Sequence, residues 1–323
     1  MTQAKTIGVA TTGGDAPGMN AAIRAVTRIA HSKGYQVVGF ERGWEGLITD
    51  NFRHLTPRSV GGIMQLGGTI LHTARCPEFK TPEGIQKAVK TLKNHKICGL
   101  VVIGGDGSFK GALELSRKTD AQMAGIPATI DNDVYGTDET IGFDTAVNTA
   151  VMQIDKIRDT AISHERIFIV EVMGRQRGFL ALTVGVTVGA EVIIVPESQC
   201  DIKGIVNTLK ENTRKGKRAG IIVAAEGCGR ISELAKAIEE QTHAEVRLTI
   251  LGYVQRGGSP TARSRLLANL FAEKAVDLLA QNKGNKVVGL QNGKVTTIEL
   301  TDACCKTKPI NTSLLTLNEM LAV

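Results

Sequence analysis

Aromatic residues are scarce, at 4% of the chain with one tryptophan and three tyrosines. That scarcity argues against a base-stacking platform for single-stranded nucleic acid, which needs aromatic faces along a basic groove. The six cysteines, Cys76, Cys98, Cys200, Cys228, Cys304 and Cys305, include no C-x-x-C pair, so neither a disulfide framework nor a zinc site is implied. No apolar run reaches the roughly 18 residues of a membrane helix. Met1-Thr-Gln-Ala-Lys5 leads into an apolar strand without a signal-peptide core, so a soluble cytoplasmic protein is expected. Short-period repeats, low-complexity tracts and long linkers are also missing. What is present is bulk and positive charge. The 323 residues are 42% hydrophobic, enough for one large domain or two ordinary ones, and the formal net charge is +7. The lysines and arginines are dispersed, which suits an anionic small ligand and leaves nucleic acid as an outside reading that a salt-dependent gel shift would expose.

The chain is organised around Leu100-Val-Val-Ile-Gly-Gly-Asp-Gly-Ser108. The continuous aliphatic run predicts a strand covered on both faces. Gly104, Gly105 and Gly107 allow a tight turn and close approach to a ligand, and Ser108 is expected to cap a helix signalled by Gly111-Ala-Leu-Glu-Leu115. Asp106 beside a phosphate makes sense only with a cation between them, which points to a magnesium-bound nucleotide. Upstream, Thr6–Thr11 reads as strand, Gly13-Gly-Asp-Ala-Pro17 as a turn, and Met19–Lys33 as a helix with Ala22, Ile23, Val26, Ile29 and Ala30 on its apolar face. Arg24 and Arg28 share its polar face. Gln36–Glu41 is a further expected strand and Pro82–Lys93 a helix. Arg75, in the loop just before Pro77, is expected to be held extended.

Downstream, Pro127-Ala-Thr-Ile-Asp-Asn-Asp133 places carboxylates at i and i+2 after another apolar segment. On its own this pattern also fits a turn with local caps. A helix is expected over Thr140–Arg158, with Ala146, Val147, Ala150, Val151, Ile154 and Ile157 facing a core. Strands follow at Arg166–Val172, Glu191–Pro196, Gly220–Ala225 and Val246–Gly252, alternating with helices. Ser259–Ala280 reads as a helix with Leu266, Leu267, Leu270, Phe271, Ala275, Leu278 and Leu279 apolar. Val287–Gln291 and Val295–Leu300 form a hairpin about Asn292-Gly293. The alternation predicts an α/β protein with two doubly wound, mostly parallel sheets.

Gly104-Gly-Asp-Gly-Ser108, Thr129-Ile-Asp-Asn-Asp133, Thr11-Thr-Gly-Gly-Asp-Ala-Pro-Gly-Met-Asn20, Met173-Gly-Arg175 and Gln255-Arg-Gly-Gly-Ser-Pro260 occur in the order and spacing of bacterial 6-phosphofructokinases. The resemblance covers essentially the whole chain. It implies a chain crossing twice between domains, 1–142 with 255–305 for nucleotide and 143–254 with 306–323 for fructose 6-phosphate, the active site lying in the cleft between them. It also implies Asp131 as base for the 1-hydroxyl, with Thr129 and Asp133 beside it and Arg75 and Arg175 offsetting charge. Gly14, Arg75, Cys76, Gly105, Asp106, Gly107 and Ser108 are then nucleotide residues, Asp106 holding Mg²⁺. Thr129, Asp131, Met173, Gly174, Arg175, Glu226 and Arg256 form the sugar site, completed by Arg166 and Arg247 from a neighbouring subunit, so a homotetramer is implied.

Phosphoryl transfer asks a protein mainly to align donor and acceptor, neutralise charge and take up the acceptor's proton. Pyrophosphate-using relatives carry aspartate and lysine where this chain has Gly107 and Ala128, so ATP is the expected donor. Ala128 itself departs from the glycine usual in the bacterial ATP enzymes. Alternatives are a pyrophosphate-dependent enzyme, a kinase of the NAD or lipid type, and a non-catalytic nucleotide sensor, though a sensor would be expected to lack Asp106 or Asp131. Tyr253 replaces a histidine of the sugar-phosphate site, which predicts a weaker grip. Of the family's effector pocket for ADP or phosphoenolpyruvate, Arg24, Arg28, Arg158, Glu191, Lys215 and Lys217 survive, whereas Pro57, Gly62 and Ala219 depart from the pattern. A basic pocket with a weakened or changed effector is expected.

Overall fold

The computed structural model describes residues 5–322. In chain order the elements are β1 (Thr6–Thr11), α1 (Met19–Ser32), β2 (Gln36–Phe40), α2 (Trp44–Thr49), β3 (Phe52–Leu55), α3 (Pro82–Asn94), β4 (Ile97–Gly104), α4 (Asp106–Ser116), β5 (Gln122–Thr129), β6 (Ile141–Gly142), α5 (Phe143–His164), β7 (Ile167–Val172), α6 (Phe179–Val188) and β8 (Val192–Ile194). There follow α7 (Ile202–Arg214), β9 (Gly220–Ala225), α8 (Ile231–Thr242), β10 (Val246–Ile250), α9 (Ala262–Ala280), β11 (Lys286–Gln291), β12 (Lys294–Glu299), α10 (Leu300–Cys305) and α11 (Ser313–Leu321). Two compact units result: the chain through Thr145 with Arg256–Lys308, and Ala146–Gln255 with the chain from Pro309 onward.

The first unit holds a sheet in the order β12-β11-β5-β4-β1-β2-β3, with β6 beside β5. Its inner pairs are parallel, and only β2 with β3 and β11 with β12 run antiparallel. Leu100, Val101, Val102 and Ile103 of β4 are fully buried, as a strand covered on both faces must be. Trp44 stacks on Phe79 with ring centroids 4.2 Å apart, and both join Phe40, Leu100 and Phe109 in one core. Thr81 caps α3 by accepting from Gly84 N at 3.1 Å, with Pro82 in the first turn where no amide donor is needed. Asn292 and Gly293 both have positive φ, the type I′ geometry that joins twisted antiparallel strands.

The second unit holds a parallel sheet in the order β10-β7-β9-β8. Ile169, Ile222 and Ile238 are fully buried in its own core.

Several expected details are corrected. Ser108 does not cap α4, because the helix starts at Asp106 and the Ser108 hydroxyl donates to Thr12 O at 3.0 Å. The helix expected from Thr140 begins at Phe143, since Ile141 and Gly142 pair with β5. The helix expected from Ser259 begins at Ala262, where Thr261 accepts from Ser264 N. Leu266 is 50% exposed and does not join the buried stripe of Leu267, Phe271, Ala275, Leu278 and Leu279.

Candidate active site

In a parallel sheet the strands finish at one edge, and ligands gather there. In the first unit β1, β4 and β5 end side by side, at Thr11, Gly104 and Thr129. A Cβ on Gly104 would run into Ser108 Oγ and Thr12 O, so only glycine permits this turn. Gly105 lies against Thr129, where an added Cβ would stand 3.4 Å from the Thr129 Cβ. Asp106 opens α4, and its Oδ2 accepts from Lys110 Nζ at 2.7 Å. The Lys110 ammonium is raised above its ordinary value, first by that hydrogen bond to Asp106, with Asp133 contributing more weakly. Asp106 and Asp133 therefore bear on one cation. Space beside Gly107 is open, whereas a Cβ on Gly14 would meet the Arg256 guanidinium at 3.3 Å. The resemblance gave Arg256 to the sugar, and the structure sets it over the first glycine turn. Arg75 is exposed in the loop before Cys76 and Pro77.

Asp131 is buried, at 4% exposure, two residues beyond Thr129, the last residue of β5. Its amide donates to Thr129 Oγ1 at 3.2 Å, while Thr140 Oγ1 donates to Thr129 O at 2.6 Å. Thr129 thus shapes the turn that carries the carboxylate.

In the second unit, Met173-Gly-Arg175 forms a turn after β7. Gly174 has φ 138°, which glycine adopts freely, and Arg175 has φ 53°, a conformation that needs outside support. Glu226 Oε1 accepts from the amides of Gly174 at 3.1 Å and Arg175 at 2.5 Å, and Gln255 Oε1 accepts from Met173 N at 3.0 Å. Glu226 therefore clasps this turn. Arg166 Nε donates to Glu245 Oε2 at 2.7 Å, and Arg247 also pairs with Glu245. The hydrogen bond from Arg166 is the main reason the Glu245 carboxyl lies below its usual range. Tyr253 lies in the short helical turn Gly252–Arg256 and is 77% exposed.

Arg158, Glu191 and Lys217, with Ala219 among their neighbours, line a cavity of about 400 Å³ within the second unit. The Glu191 side chain is buried, pairs with Lys217 Nζ at 2.6 Å and accepts from Ile221 N. Arg158 Nη2 donates to Val188 O, at the last residue of α6. Lys215 follows as the C-cap of α7, outside the cavity lining. Arg24 and Arg28 belong to the first unit, where Arg28 donates to Pro57 O at 3.3 Å.

The sequence profile of the phosphofructokinase family matches residues 6–279. The chain belongs to the phosphofructokinase family. It is 52% identical over 321 residues to "ATP-dependent 6-phosphofructokinase 1" of Thermus thermophilus, with 99% of this chain and 100% of the relative covered. It is 49% identical over 319 residues to an "ATP-dependent 6-phosphofructokinase" of Bacillus cytotoxicus, again with 99% and 100% covered. Among solved structures, phosphofructokinase from Saccharomyces cerevisiae superposes with a TM-score of 0.89 at 33% identity, over 98% of this chain and 48% of the yeast one, so the chain spans about half that protein's length. A pyrophosphate-dependent phosphofructokinase from Marinobacter aquaeolei shares the fold, with a TM-score of 0.85 at 20% identity over 98% of this chain and 88% of that one.

Within this phosphofructokinase fold, one strand edge gathers Gly14, Gly105, Asp106, Gly107, Ser108, Thr129 and Asp131, while the second unit gathers Met173, Gly174, Arg175 and Glu226 in one cluster and Arg166 with Arg247 in another. Sequence reading missed three supports. Asn20, almost fully buried, donates to Leu66 O and Gly67 O and accepts from Ile70 N, fixing the loop that precedes Arg75. Glu245 gathers two arginines, and Gln255 holds Met173. Glu245 gave a faint signal two residues before Arg247. The motifs that contain Asn20 and Gln255 did not reveal these tasks, because each side chain bonds to a distant stretch of main chain. Among the described residues no helix is long and apolar enough to cross a membrane.

Proposed function

We propose that this chain transfers the γ-phosphoryl group of ATP to the 1-hydroxyl of fructose 6-phosphate, giving fructose 1,6-bisphosphate and ADP. The observation that carries the reading is the contact of Gly105 with Thr129, which sets a Gly-Asp-Gly helix start beside the buried Asp131. The family relatives named ATP-dependent support the same donor. So does the open space at Gly107, where an aspartate would bring a repelling charge near a nucleotide phosphate.

Asp131 takes the proton of the 1-hydroxyl as its oxygen bonds to the γ-phosphorus, and ADP leaves with the electrons of the broken P–O bond. Thr129 and Asp133 hold the base turn, and Arg75 and Arg175 offset charge on the transferring group. Gly14, Cys76, Gly105, Gly107 and Ser108 line the path of the nucleotide, with the start of α4 offering amides to phosphate. No group of three metal-binding side chains exists among the described residues. Asp106 alone, already facing a cation at Lys110, fits Mg²⁺, which usually takes one or two carboxylates and completes its shell with substrate phosphates and water. Bound there, Mg²⁺ would neutralise phosphate charge.

Arg166 and Arg247 of a neighbouring copy take the 6-phosphate together with Tyr253, and Met173, Gly174, Arg175, Glu226 and Arg256 frame the sugar, in a cytoplasmic homotetramer. The cavity at Arg158, Glu191 and Lys217, with Lys215, Arg24 and Arg28, takes a phosphorylated effector. The decisive experiment on the base is steady-state kinetics of Asp131→Ser. Its kcat should fall by roughly 10² to 10⁴ with KM values nearly unchanged. A fall of less than tenfold removes Asp131 from the role.

A further inference from the structure

We propose that Lys308 is a positioning residue for the base turn, a role that rests on the reading of Asp131 above. Lys308 is half-buried and is the last residue of the first unit. Its ammonium donates to Asn132 O at 2.9 Å and to Asp138 O at 3.1 Å, so it grips both ends of the loop that Asp131 opens. Asn132 stands between the two aspartates with φ 51°, a left-handed conformation uncommon outside glycine. It is almost fully buried, and its own Nδ2 donates to the same Asp138 O at 3.1 Å. Such a backbone persists only where its surroundings over-determine it. Here the two lone pairs of one carbonyl oxygen are shared by the amide of Asn132 and the ammonium of Lys308.

The far end of the loop is anchored separately. Asp138 N donates to Leu290 O at 2.7 Å, and Asn292 N donates to Asp138 Oδ2 at 2.8 Å, which ties it to the β11–β12 hairpin. Lys308 carries that anchorage across to Asn132, whose peptide fixes the direction in which Asp131 and Asp133 leave the turn. Bonds from a charged donor are shorter and stiffer than those from a neutral one, which suits a part whose task is to hold direction. Nothing in this contact requires Lys308 to touch a substrate, so its effect should fall on turnover.

The test is kinetics of Lys308→Met, which keeps the aliphatic stem and removes the donors, alone and combined with Asp131→Ser. A misplacement of about 1 Å can cost on the order of 10² in rate. For a loosened turn, kcat should fall about tenfold with both KM values changed less than about threefold, and Lys308→Arg should recover most of the loss. In the Asp131→Ser background Lys308→Met should cost less than about twofold, since its effect runs through the carboxylate already removed. An unchanged kcat in folded Lys308→Met overturns the proposal, as does a full tenfold loss in both backgrounds. Asp131→Ser alone reports on the base, so failure of that reading is seen separately. If Lys308→Met melts below the assay temperature, Lys308→Gln, which keeps one donor, is read by the same coupling and decides in the same way.

Discussion

Tyr253 lies 77% exposed in the Gly252–Arg256 turn, at the position where the resemblance implies a histidine. A phenol donates a neutral hydrogen bond at pH 7, whereas a histidine beside a phosphate can become a charged donor, and charged donors bond about twice as strongly. Tyr253→His should therefore lower KM for fructose 6-phosphate by about threefold to tenfold with little change in kcat. An unchanged KM would mean that this position does not reach the phosphate. Single residues were legible where their chemistry is local. Gly104 and Asp106 announce themselves by following an apolar run, whereas Asp131 was singled out by the resemblance, and the strand edge brings the three together. Asn20, Gln255 and Lys308 were silent because each serves a main-chain group 46 or more positions away, as with Asn20 and Leu66. Ser108 was misread for the same reason, its hydroxyl being turned to Thr12 O just after β1.

Elements supply what residues cannot, and the cavity of the second unit is the example. Arg158 on α5, Glu191 just before β8 and Lys217 just before β9 meet only because β8 and β9 are neighbours. Glu191 pairs with Lys217 there, while Arg158 donates to Val188 O; if the cavity takes a phosphorylated effector, Arg158 is a guanidinium available to it. Phosphoenolpyruvate or ADP should change the velocity at low fructose 6-phosphate in a saturable way, and Arg158→Ala should reduce that response at least tenfold, by roughly the energy of one charge-assisted contact. A response identical in the variant would place the effector elsewhere. Among elements, β4 was readable because an uninterrupted aliphatic run can only be covered on both faces. The start of α5 and the exposure of Leu266 were not, since pairing of β6 with β5 displaces the first, and the second depends on what faces α9.

For the whole molecule, Ile162, Ile250, Val254 and Leu266 are large apolar side chains left exposed. If Arg166 and Arg247 serve a neighbour's site, Asp131→Ser and Arg166→Ala fail in complementary subunits. Co-refolded mixtures of the two variants should then regain activity well above either parent, while the separately refolded variants do not. No recovery would mean that each site is completed within one chain. Two partly buried thiols should also weaken the folded state at alkaline pH, read as a falling Tm above about pH 9. Burial pushes the thiols of Cys228 and Cys304 up to about 11, so their neutral forms are favoured in the folded state. That contribution is full below the ordinary thiol range near 8.5 and is lost as pH rises towards about 11. By itself the sequence determined the alternation of strands and helices, the glycine turns at strand ends and the presence of carboxylates beside them at Asp106 and Asp131, because periodicity, turn geometry and charge act within a few residues. Only the tertiary structure decided which side chains hold those groups still: Thr12 with Ser108, Glu226 with the Gly174 turn, Glu245 with its two arginines, and Lys308 with Asn132. Apart from Glu245 with Arg247, two residues away, each such contact joins segments far apart in the chain, and their meeting depends on strand order and crossing points that local patterns do not encode.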